Sequence, residues 1–231
     1  SKKYSKKSYR TAVGMKVNGR YFYVSKVGWV KMAEELRFKG KLMNVTISQT
    51  KSGNYFATFL VDAENFQQEP VANNIGLDLG LTHFCITSAG EKIDNNRFYR
   101  SLEQRLIREQ RKLSKRLEVA KKHNRKLDEC RNYQKQKVKV ARIHEKIANQ
   151  RTDFLHKLSS RLTDENQIIC IEDLNVKGLV KNHKLAKSIS DVSWSEFVRQ
   201  LDYKCAWKGR TLVKVDRFFP SSQLCSSCGH N

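Results

Sequence analysis

The chain has 231 residues, enough for one large domain or two small ones. Its 45 Lys and Arg residues outnumber 23 Asp and Glu residues, and the formal charge of +22 predicts a polyanionic partner. The sequence contains no apolar run long enough to span a bilayer and no segment patterned like a signal peptide. We therefore expect nucleic acid, and no membrane, as the partner.

The cysteines do not form a disulfide framework. Four are scattered through apolar or helical patterns: Cys85, Cys130, Cys170 and Cys205. This usage predicts an intracellular, reduced protein. Cys225 and Cys228 are closely spaced and followed by Gly229, which is typical of half a zinc knuckle, since a structural zinc needs four ligands. Two free thiols are the alternative.

The first third of the chain predicts an antiparallel β region. Three segments are rich in β-branched and aromatic residues: 21–24, 40–48 and 55–61. Residues 52–54, Ser-Gly-Asn, indicate a hairpin between the last two. Val45 and Ile47, and the set Phe56, Thr58 and Leu60, alternate along their strands, so we expect one buried and one free face. The pattern favours a small barrel or sandwich, and leaves open whether it is a nucleic-acid platform or purely structural.

Residues 67–70, Gln-Gln-Glu-Pro, predict a domain boundary. Beyond it, segments 75–80 and 82–87 predict a hairpin, which 91–93 extends. The first segment carries Asp78 between Gly76 and Gly80. Burying a carboxylate in an apolar strand is costly unless a charged or hydrogen-bonding partner meets it, and the glycines leave room for close approach.

A second apolar segment, 168–174, also ends on acids, Glu172 and Asp173. Hard divalent cations prefer carboxylate oxygens, and two strands each carrying a carboxylate suit a two-metal phosphoryl-transfer site. The alternative is that Asp78 and Glu172 are ordinary acids at strand ends.

Residues 97–161 predict basic helices, with a polar turn at 121–125. Acids are too few to balance the charge by pairs along the helix, so we expect phosphate contacts. Including the N-terminus, the candidate contacts are Lys6, Lys7, Arg10, Arg108, Arg111, Lys112, Lys115, Arg116, Arg142 and Arg151.

A basic loop is expected over 177–190. Ser193-Trp194-Ser195-Glu196 then predicts a capping box that opens a helix, which Gly209 ends. Residues 211–215 predict one more strand.

Four motifs now occur in an order that resembles TnpB, a family of transposon-encoded, RNA-guided DNA nucleases related to the type V CRISPR effectors. They are Gly76-Leu77-Asp78-Leu79-Gly80, Ile171-Glu172-Asp173-Leu174-Asn175-Val176, Ser188-Ile189-Ser190-Asp191-x-x-Trp194-x-x-Phe197 and Phe219-Pro220-Ser221-Ser222-Gln223-x-Cys225-x-x-Cys228-Gly229.

The resemblance implies an α/β fold, in which an RNase H-like (RuvC) mixed sheet with a long basic helical insertion follows a small antiparallel wedge-type β-barrel. The implied domains are a partial wedge domain at 1–70, a RuvC-like domain at 71–217 with its insertion at about 97–165, and the start of a zinc module at 218–231. Asp78 and Glu172, rather than Asp173, would bind catalytic Mg²⁺, and Cys225 and Cys228 would bind Zn²⁺.

In that family the helical recognition domain would precede Ser1, and the second Cys pair and third catalytic Asp would follow Asn231. The implied function is a magnesium-dependent DNA endonuclease that binds guide RNA and double-stranded target DNA in the prokaryotic cytoplasm, associated with the nucleoid when on DNA. The alternative is a nuclease-inactive, RNA-guided DNA-binding regulator on the same fold. A strand-joining transposase has less support, because nothing in the sequence indicates a covalent Tyr or Ser nucleophile.

Overall fold

A computed structural model describes residues 8–25, 27–38, 40–63, 68–174 and 191–216. The strands are β1 (Ser8–Thr11), β2 (Met15–Asn18), β3 (Tyr21–Val24), β4 (Gly28–Lys31), β5 (Lys41–Gln49), β6 (Tyr55–Asp62), β7 (Asn74–Leu79), β8 (His83–Thr87), β9 (Lys92–Asp94), β10 (Ile168–Glu172) and β11 (Thr211–Val215). The helices are α1 (Phe98–Lys122), α2 (Arg131–Glu165) and α3 (Trp194–Lys208).

The chain packs as two compact units, and each is discontinuous in sequence. The first comprises Ser1–Asn65 and Arg105–Glu145, and the second comprises Phe66–Gln104 and Lys146–Asn231. Each long helix contributes residues to both units, so the middle of the basic helical region groups with the N-terminal strands.

The strands of the first unit confirm the predicted antiparallel region. They form two three-stranded sheets, ordered β1-β5-β6 and β2-β3-β4. Phe22, Val24 and Val45 are buried between partly buried side chains of both sheets. Phe22 meets Phe59 edge to face, with ring centroids 5.5 Å apart. The predicted hairpin at 52–54 is also present, closed by the Thr50 N–H donating to the Asn54 carbonyl at 2.9 Å.

The alternating set on β6 lies on the free face of its sheet. Val45 is opposite Phe59 in the β5–β6 register, so Phe59 shares the buried face. Phe56 and Leu60, which point the other way, are 50% and 53% exposed. Two apolar residues at alternate positions were compatible with either face, and pairing with β5 decides between them.

The helical region confirms two helices separated by a polar turn. Leu106 and Ala120 of α1 and Val140 and Ile143 of α2 are buried. Gln136, only 1% exposed, donates from Nε2 to the Glu109 carbonyl oxygen at 2.9 Å and to Glu109 Oε2 at 2.8 Å. This bridge satisfies a buried amide and ties the two helices together.

The second unit contains a five-stranded mixed sheet in the order β11-β10-β7-β8-β9. β7, β10 and β11 are parallel, whereas β8 pairs antiparallel with both β7 and β9. The mixed α/β class predicted for this part of the chain is therefore confirmed. One face of the sheet is covered by a core that includes Leu77 and Ile171 of the strands, Leu158 of α2 and Phe197 and Leu201 of α3.

Helix α3 begins without the predicted capping box. Ser193 lies at the N-cap position in the left-handed conformation (φ 58°) and its side chain makes no capping hydrogen bond. The Glu196 carboxylate instead accepts from Arg199 and Gln200. The predicted C-terminus is correct, since Gly209 adopts φ 68° and its N–H donates to the Cys205 carbonyl.

A buried arginine anchors the segment that enters this unit. Arg210, 7% exposed, donates from Nη1 to the Glu69 carbonyl and to Gln167 Oε1, both at 2.9 Å, and from Nε to the Thr163 carbonyl at 3.1 Å. These neutral acceptors satisfy the guanidinium and fix the predicted boundary segment against the ends of α2 and β10.

Within the described ranges, no helix is both long and apolar enough to cross a membrane.

Candidate functional site

The structure brings the two predicted acids to neighbouring strands. In the parallel pair β7–β10, Ile171 lies opposite Leu77, and continuing that register by one residue sets Glu172 beside Asp78. Neighbouring strands are about 4.8 Å apart, and side chains at paired positions point to the same face. The two carboxylates, which are distant in sequence, therefore project side by side from the centre of the sheet.

These acids occupy the face of the sheet that the hydrophobic core leaves uncovered. Along β7, Leu77 and Leu79 are buried in the core, whereas Asp78 between them is exposed. Along β10, Ile169 and Ile171 are buried and Glu172 is half-buried. The alternation of each strand thus separates a packing face from a face where carboxylates reach solvent.

Of the two glycines of the first motif, Gly80 lies against its own chain more tightly than Gly76. A Cβ at Gly80 would lie 3.1 Å from the His83 carbonyl oxygen, and a Cβ at Gly76 would lie 3.5 Å from Ser88 Cβ. Gly80 also donates its N–H to the Phe84 carbonyl at 3.2 Å. The approach at Gly80 is tight because the β7–β8 hairpin lies against it, whereas the contact at Gly76 is ordinary van der Waals contact.

The carboxylate pair fits a divalent cation in its donor chemistry. Two carboxylates on one face supply hard oxygen ligands, and Mg²⁺ is commonly held by one or two carboxylates together with substrate phosphates. No group of three or more His, Cys, Asp or Glu side chains is gathered for a metal in the part of the chain that the structure describes. Within that part, Asp78 and Glu172 are the candidate ligands.

Asp173 lies outside strand β10, whereas its neighbour Glu172 is the last residue of that strand. It follows the last residue of β10, is exposed, and donates its backbone N–H to the Val215 carbonyl at 3.0 Å. The Leu174 N–H donates to the Glu172 carbonyl at 3.0 Å, so the chain turns directly after the strand. Glu172 is the last residue of the strand, and its position is held by pairing with Val215 of β11.

The predicted phosphate-contacting residues differ in exposure and in their intramolecular partners. Four are exposed on the helices: Arg108, Arg111, Lys115 and Arg142. The first three are separated by three and four positions, so they form one stripe along α1. Arg10 is exposed on β1.

Arg108 Nε lies 3.7 Å from Glu109 Oε1, and two further predicted contacts on α1 also have intramolecular partners. Lys112 donates to Glu109 at 3.0 Å, and Arg116 donates to the Asn132 carbonyl at 2.6 Å. Lys6, Lys7, Cys225 and Cys228, and the motif segments at 175–190 and 217–231, lie outside the described residues.

Arg151 forms an ion pair that sequence reasoning missed. Its Nη2 lies 2.8 Å from Asp191 Oδ1, with the two side chains 24% and 9% exposed. Both Asp191 oxygens also accept the Tyr99 N–H at 3.1 Å, near the N-terminus of α1, where a negative charge is stabilising. Arg151 therefore holds a structural contact, and only the motif around Asp191 hinted at it.

The mixed sheet with paired carboxylates on its open face defines a protein of the α/β class with a candidate metal-dependent site. Residues 58–183, more than half of the chain, match the family OrfB_IS605, described as "Probable transposase". Residues 194–231 match "Cas12f1-like, TNB domain". The chain belongs to the OrfB_IS605 family, and its resemblance to the TnpB proteins is confirmed.

Two relatives show how much of a longer protein the chain corresponds to. A Streptomyces pristinaespiralis protein named "Putative RNA-guided DNA endonuclease" is 44% identical over 185 residues, covering 80% of this chain and 44% of that protein. The Escherichia coli (strain K12) protein "Putative RNA-guided DNA endonuclease InsQ" is 31% identical over 242 residues, covering 96% and 57%. The chain thus spans about half the length of these relatives.

A solved structure is also similar. One chain of "Cryo-EM structure of the Cas12f1-sgRNA-target DNA complex" aligns with a TM-score of 0.39 at 12% identity, covering 96% of this chain and 56% of that chain.

Proposed function

We propose that the chain is the nuclease part of a transposon-associated, RNA-guided DNA endonuclease that depends on Mg²⁺. The observation that supports the proposal is the β7–β10 register, because continuing it by one residue past the Ile171–Leu77 pair brings Glu172 next to Asp78. Membership of the OrfB_IS605 family and the names of the relatives support a guided endonuclease.

The chemistry required is in-line hydrolysis of a phosphodiester. Asp78 and Glu172 would hold Mg²⁺, which when bound supplies charge neutralisation and an activated water. The Asp78 and Glu172 carboxylates would supply the negative charge that holds the cation in place. Both sit within or at the end of paired strands, so their backbones are held rigidly, as a preorganised site requires.

The finer assignments belong to the same proposal. The five-stranded sheet with its helices would be the RNase H-like (RuvC) domain, and the two N-terminal sheets would be part of a wedge-type barrel. Cys225 and Cys228 would bind Zn²⁺ with two further ligands. Guide RNA and double-stranded target DNA would be the partners, held through phosphates by exposed basic residues such as Arg111 and Arg142. The protein would act in the prokaryotic cytoplasm, on nucleoid DNA.

The test compares three isosteric variants of the full-length protein, Asp78→Asn, Glu172→Gln and Asp173→Asn, in guided cleavage and gel-shift assays. The first two should lower the cleavage rate by at least about 10³-fold, because a metal site contributes several kcal/mol to the transition state. Binding should persist, since affinity comes from phosphate contacts spread over the basic surface. Asp173→Asn is the matched control, and should change cleavage by less than about threefold, as surface substitutions do.

Two results would redirect the proposal. Loss of cleavage in Asp173→Asn with retention in Glu172→Gln would move the site by one residue. If the unmodified full-length protein binds guided targets with Mg²⁺ present and never cuts them, it is a DNA-binding regulator on the same fold.

A further inference from the structure

The exposed face of the sheet β2-β3-β4 carries an unusual set of side chains. Register places Lys16, Tyr23 and Trp29 in one row across the three strands, and Asn18, Tyr21 and Lys31 in the next. We call these six residues the aromatic face. The opposite face of the same sheet holds Phe22 and Val24 in the core of the first unit. The aromatic side chains are therefore on the side where core packing does not require them.

The rings of the aromatic face are accessible. Trp29 is 54% exposed and Tyr21 is 47% exposed. Tyr23 and Trp29 contact each other with ring centroids 5.5 Å apart and planes tilted by 58°. One ring thus supports the other, and a large part of the indole remains open. Tyr21 and Tyr23 are two residues apart, so the rows are separated by about 7 Å along the strand.

The polar members of the aromatic face are complementary to an anion. Lys16 and Lys31 are exposed at opposite ends of the two rows, and Asn18 can donate or accept hydrogen bonds. None of the six residues is acidic. Exposed rings flanked by lysines match the two requirements of a single-stranded nucleic acid, which are stacking for its bases and cations for its phosphates.

We propose that the aromatic face binds single-stranded nucleic acid by stacking unpaired bases on Trp29 and Tyr21, with Lys16 and Lys31 contacting the backbone. A duplex cannot use the rings, because its bases are stacked on one another. This site requires neither Asp78 nor Glu172, and so goes beyond the proposed nuclease activity. Cross-strand aromatic pairs also stabilise sheets by themselves, so the test must separate binding from stability.

The experiment measures binding of single-stranded RNA, single-stranded DNA and the corresponding duplexes, each of roughly ten nucleotides or base pairs, within the usual single-strand site size of about 4–16. The protein is compared with Trp29→Ala, Trp29→Phe and Phe56→Ala. Phe56, 50% exposed on the free face of the other sheet, is the matched control.

Trp29→Ala should weaken single-strand binding by about 5- to 150-fold, the equivalent of one lost base stack, and leave duplex binding within about twofold. Trp29→Phe should bind single strands nearly as well as the unmodified protein, because a phenyl ring can still stack on a base. A surface that binds through charge alone would not distinguish Trp29→Ala from Trp29→Phe. Phe56→Ala should bind as the unmodified protein does. Comparing the RNA and DNA arms identifies which strand the face prefers.

Fluorescence supplies a second readout. Binding of a single strand should quench tryptophan emission, and the quench should disappear in Trp29→Phe and survive in Trp207→Phe, whose indole is 53% exposed in the other unit. The proposal is overturned if Trp29→Ala, folded by circular dichroism, binds single strands unchanged, or loses single-strand and duplex affinity equally. It is equally overturned if the quench persists in Trp29→Phe. Failure of guided cleavage alone leaves these binding results intact, so the two proposals are tested separately.

Discussion

Lys204 is a charged residue placed inside the second unit, with 7% of its surface exposed. Its Nζ donates to the His156 carbonyl at 2.8 Å and to the hydroxyls of Ser159 and Ser160 at 2.7 and 2.8 Å. All three acceptors are neutral, so the ammonium is hydrogen-bonded without a direct counter-charge. Burial accordingly lowers the pKa of Lys204 to about 8 from an ordinary value of 10.5.

This shift gives a pH dependence of stability with a defined sign. Between about pH 8 and 10.5 the unfolded chain keeps a proton on Lys204 that the folded chain has lost, so the contribution of Lys204 to stability rises with pH. We expect this proton to add up to about 2–3 kcal/mol to the free energy of unfolding across this window. The gain opposes the loss from Cys85 and Cys205, because burial raises the pKa values of these thiols from 9.0 to about 12 and about 11. Lys204→Met should remove the gain, whereas Lys137→Met, on an exposed position of α2, should keep it.

The measurement is denaturant unfolding of the three proteins at several pH values from 7 to 10.5. Parallel curves for the unmodified protein and Lys204→Met would show that the Lys204 proton is not linked to folding.

The sequence identified the exposed acid Asp78 as a candidate functional residue, but it did not identify the buried roles of Lys204 and Arg151. Asp78 stands out because a carboxylate inside an apolar strand is costly and demands an explanation. Lys204 and Arg151 lie in strongly basic stretches and look like any other surface cation. Their partners, Ser159 and Asp191, are about forty residues away, and only tertiary packing brings each pair together.

The helices α1 and α2 are joined by the Gln136–Glu109 bridge, which can be tested as a unit. The hydrogen bond from Gln136, with a smaller contribution from Lys112, holds the pKa of Glu109 at about 2, below its ordinary 4.5. A carboxylate with a lowered pKa stabilises the folded state above its ordinary pKa, and that stabilisation is lost as the pH falls from about 4.5 towards 2.

We expect the melting temperature of the unmodified protein to exceed that of Glu109→Gln at pH 7, and the difference to shrink steadily at pH 4, 3 and 2. Glu118→Gln, exposed on the same helix, corrects for the general effect of acid and should show no such convergence. If the difference in melting temperature between the unmodified protein and Glu109→Gln is the same at every pH, the charge of Glu109 does not contribute to stability.

Helices and strands were predicted well where sequence periodicity alone defines them. They were predicted poorly where the conformation depends on contacts with another element. The long helices, the β7–β8 hairpin and the Gly209 terminus follow from local patterns. The capping box failed because Ser193 adopts a left-handed conformation, in which its hydroxyl does not cap the helix. Phe56 and Leu60 alternate correctly, but which face they occupy depends on the register with β5.

For the whole molecule, the excess of positive charge predicts steeply salt-dependent nucleic-acid binding. The log–log slope of affinity against salt should fall in magnitude by about 0.7 to 0.9 for each phosphate contact removed. We expect the magnitude of this slope to drop by roughly two to three in the triple variant Arg111→Ala, Lys115→Ala and Arg142→Ala, all exposed positions.

The protein should also purify with RNA at low salt.

The control for charge is Arg199→Ala. The Arg199 guanidinium already binds both oxygens of Glu196, at 2.7 and 2.8 Å, so removing it should leave the slope nearly unchanged. An equal drop in both variants would indicate a diffuse effect of net charge, and a slope that does not respond in the triple variant would place the phosphate contacts elsewhere.

The order of strands in the mixed sheet was beyond the reach of periodicity. Apolar alternation indicates that 75–80 and 168–174 are strands, but not that they are neighbours, since their pairing is parallel and joins segments separated by both long helices. The resemblance to TnpB supplied the expectation of a mixed sheet, and the motifs that carry it include the residues at which the two strands present their carboxylates.

That pairing has a consequence for how the chain is made. Asp78 and Glu172 are about ninety residues apart, and ribosomes add about 5–20 residues per second, so β10 emerges on the order of 5–20 s after β7. Until β10 has been synthesised, one edge of β7 has no strand partner, and an unpaired edge can pair with another chain. The intervening basic helices can form in about a microsecond once exposed. During synthesis, therefore, the chain can engage a polyanion before its two carboxylates have met.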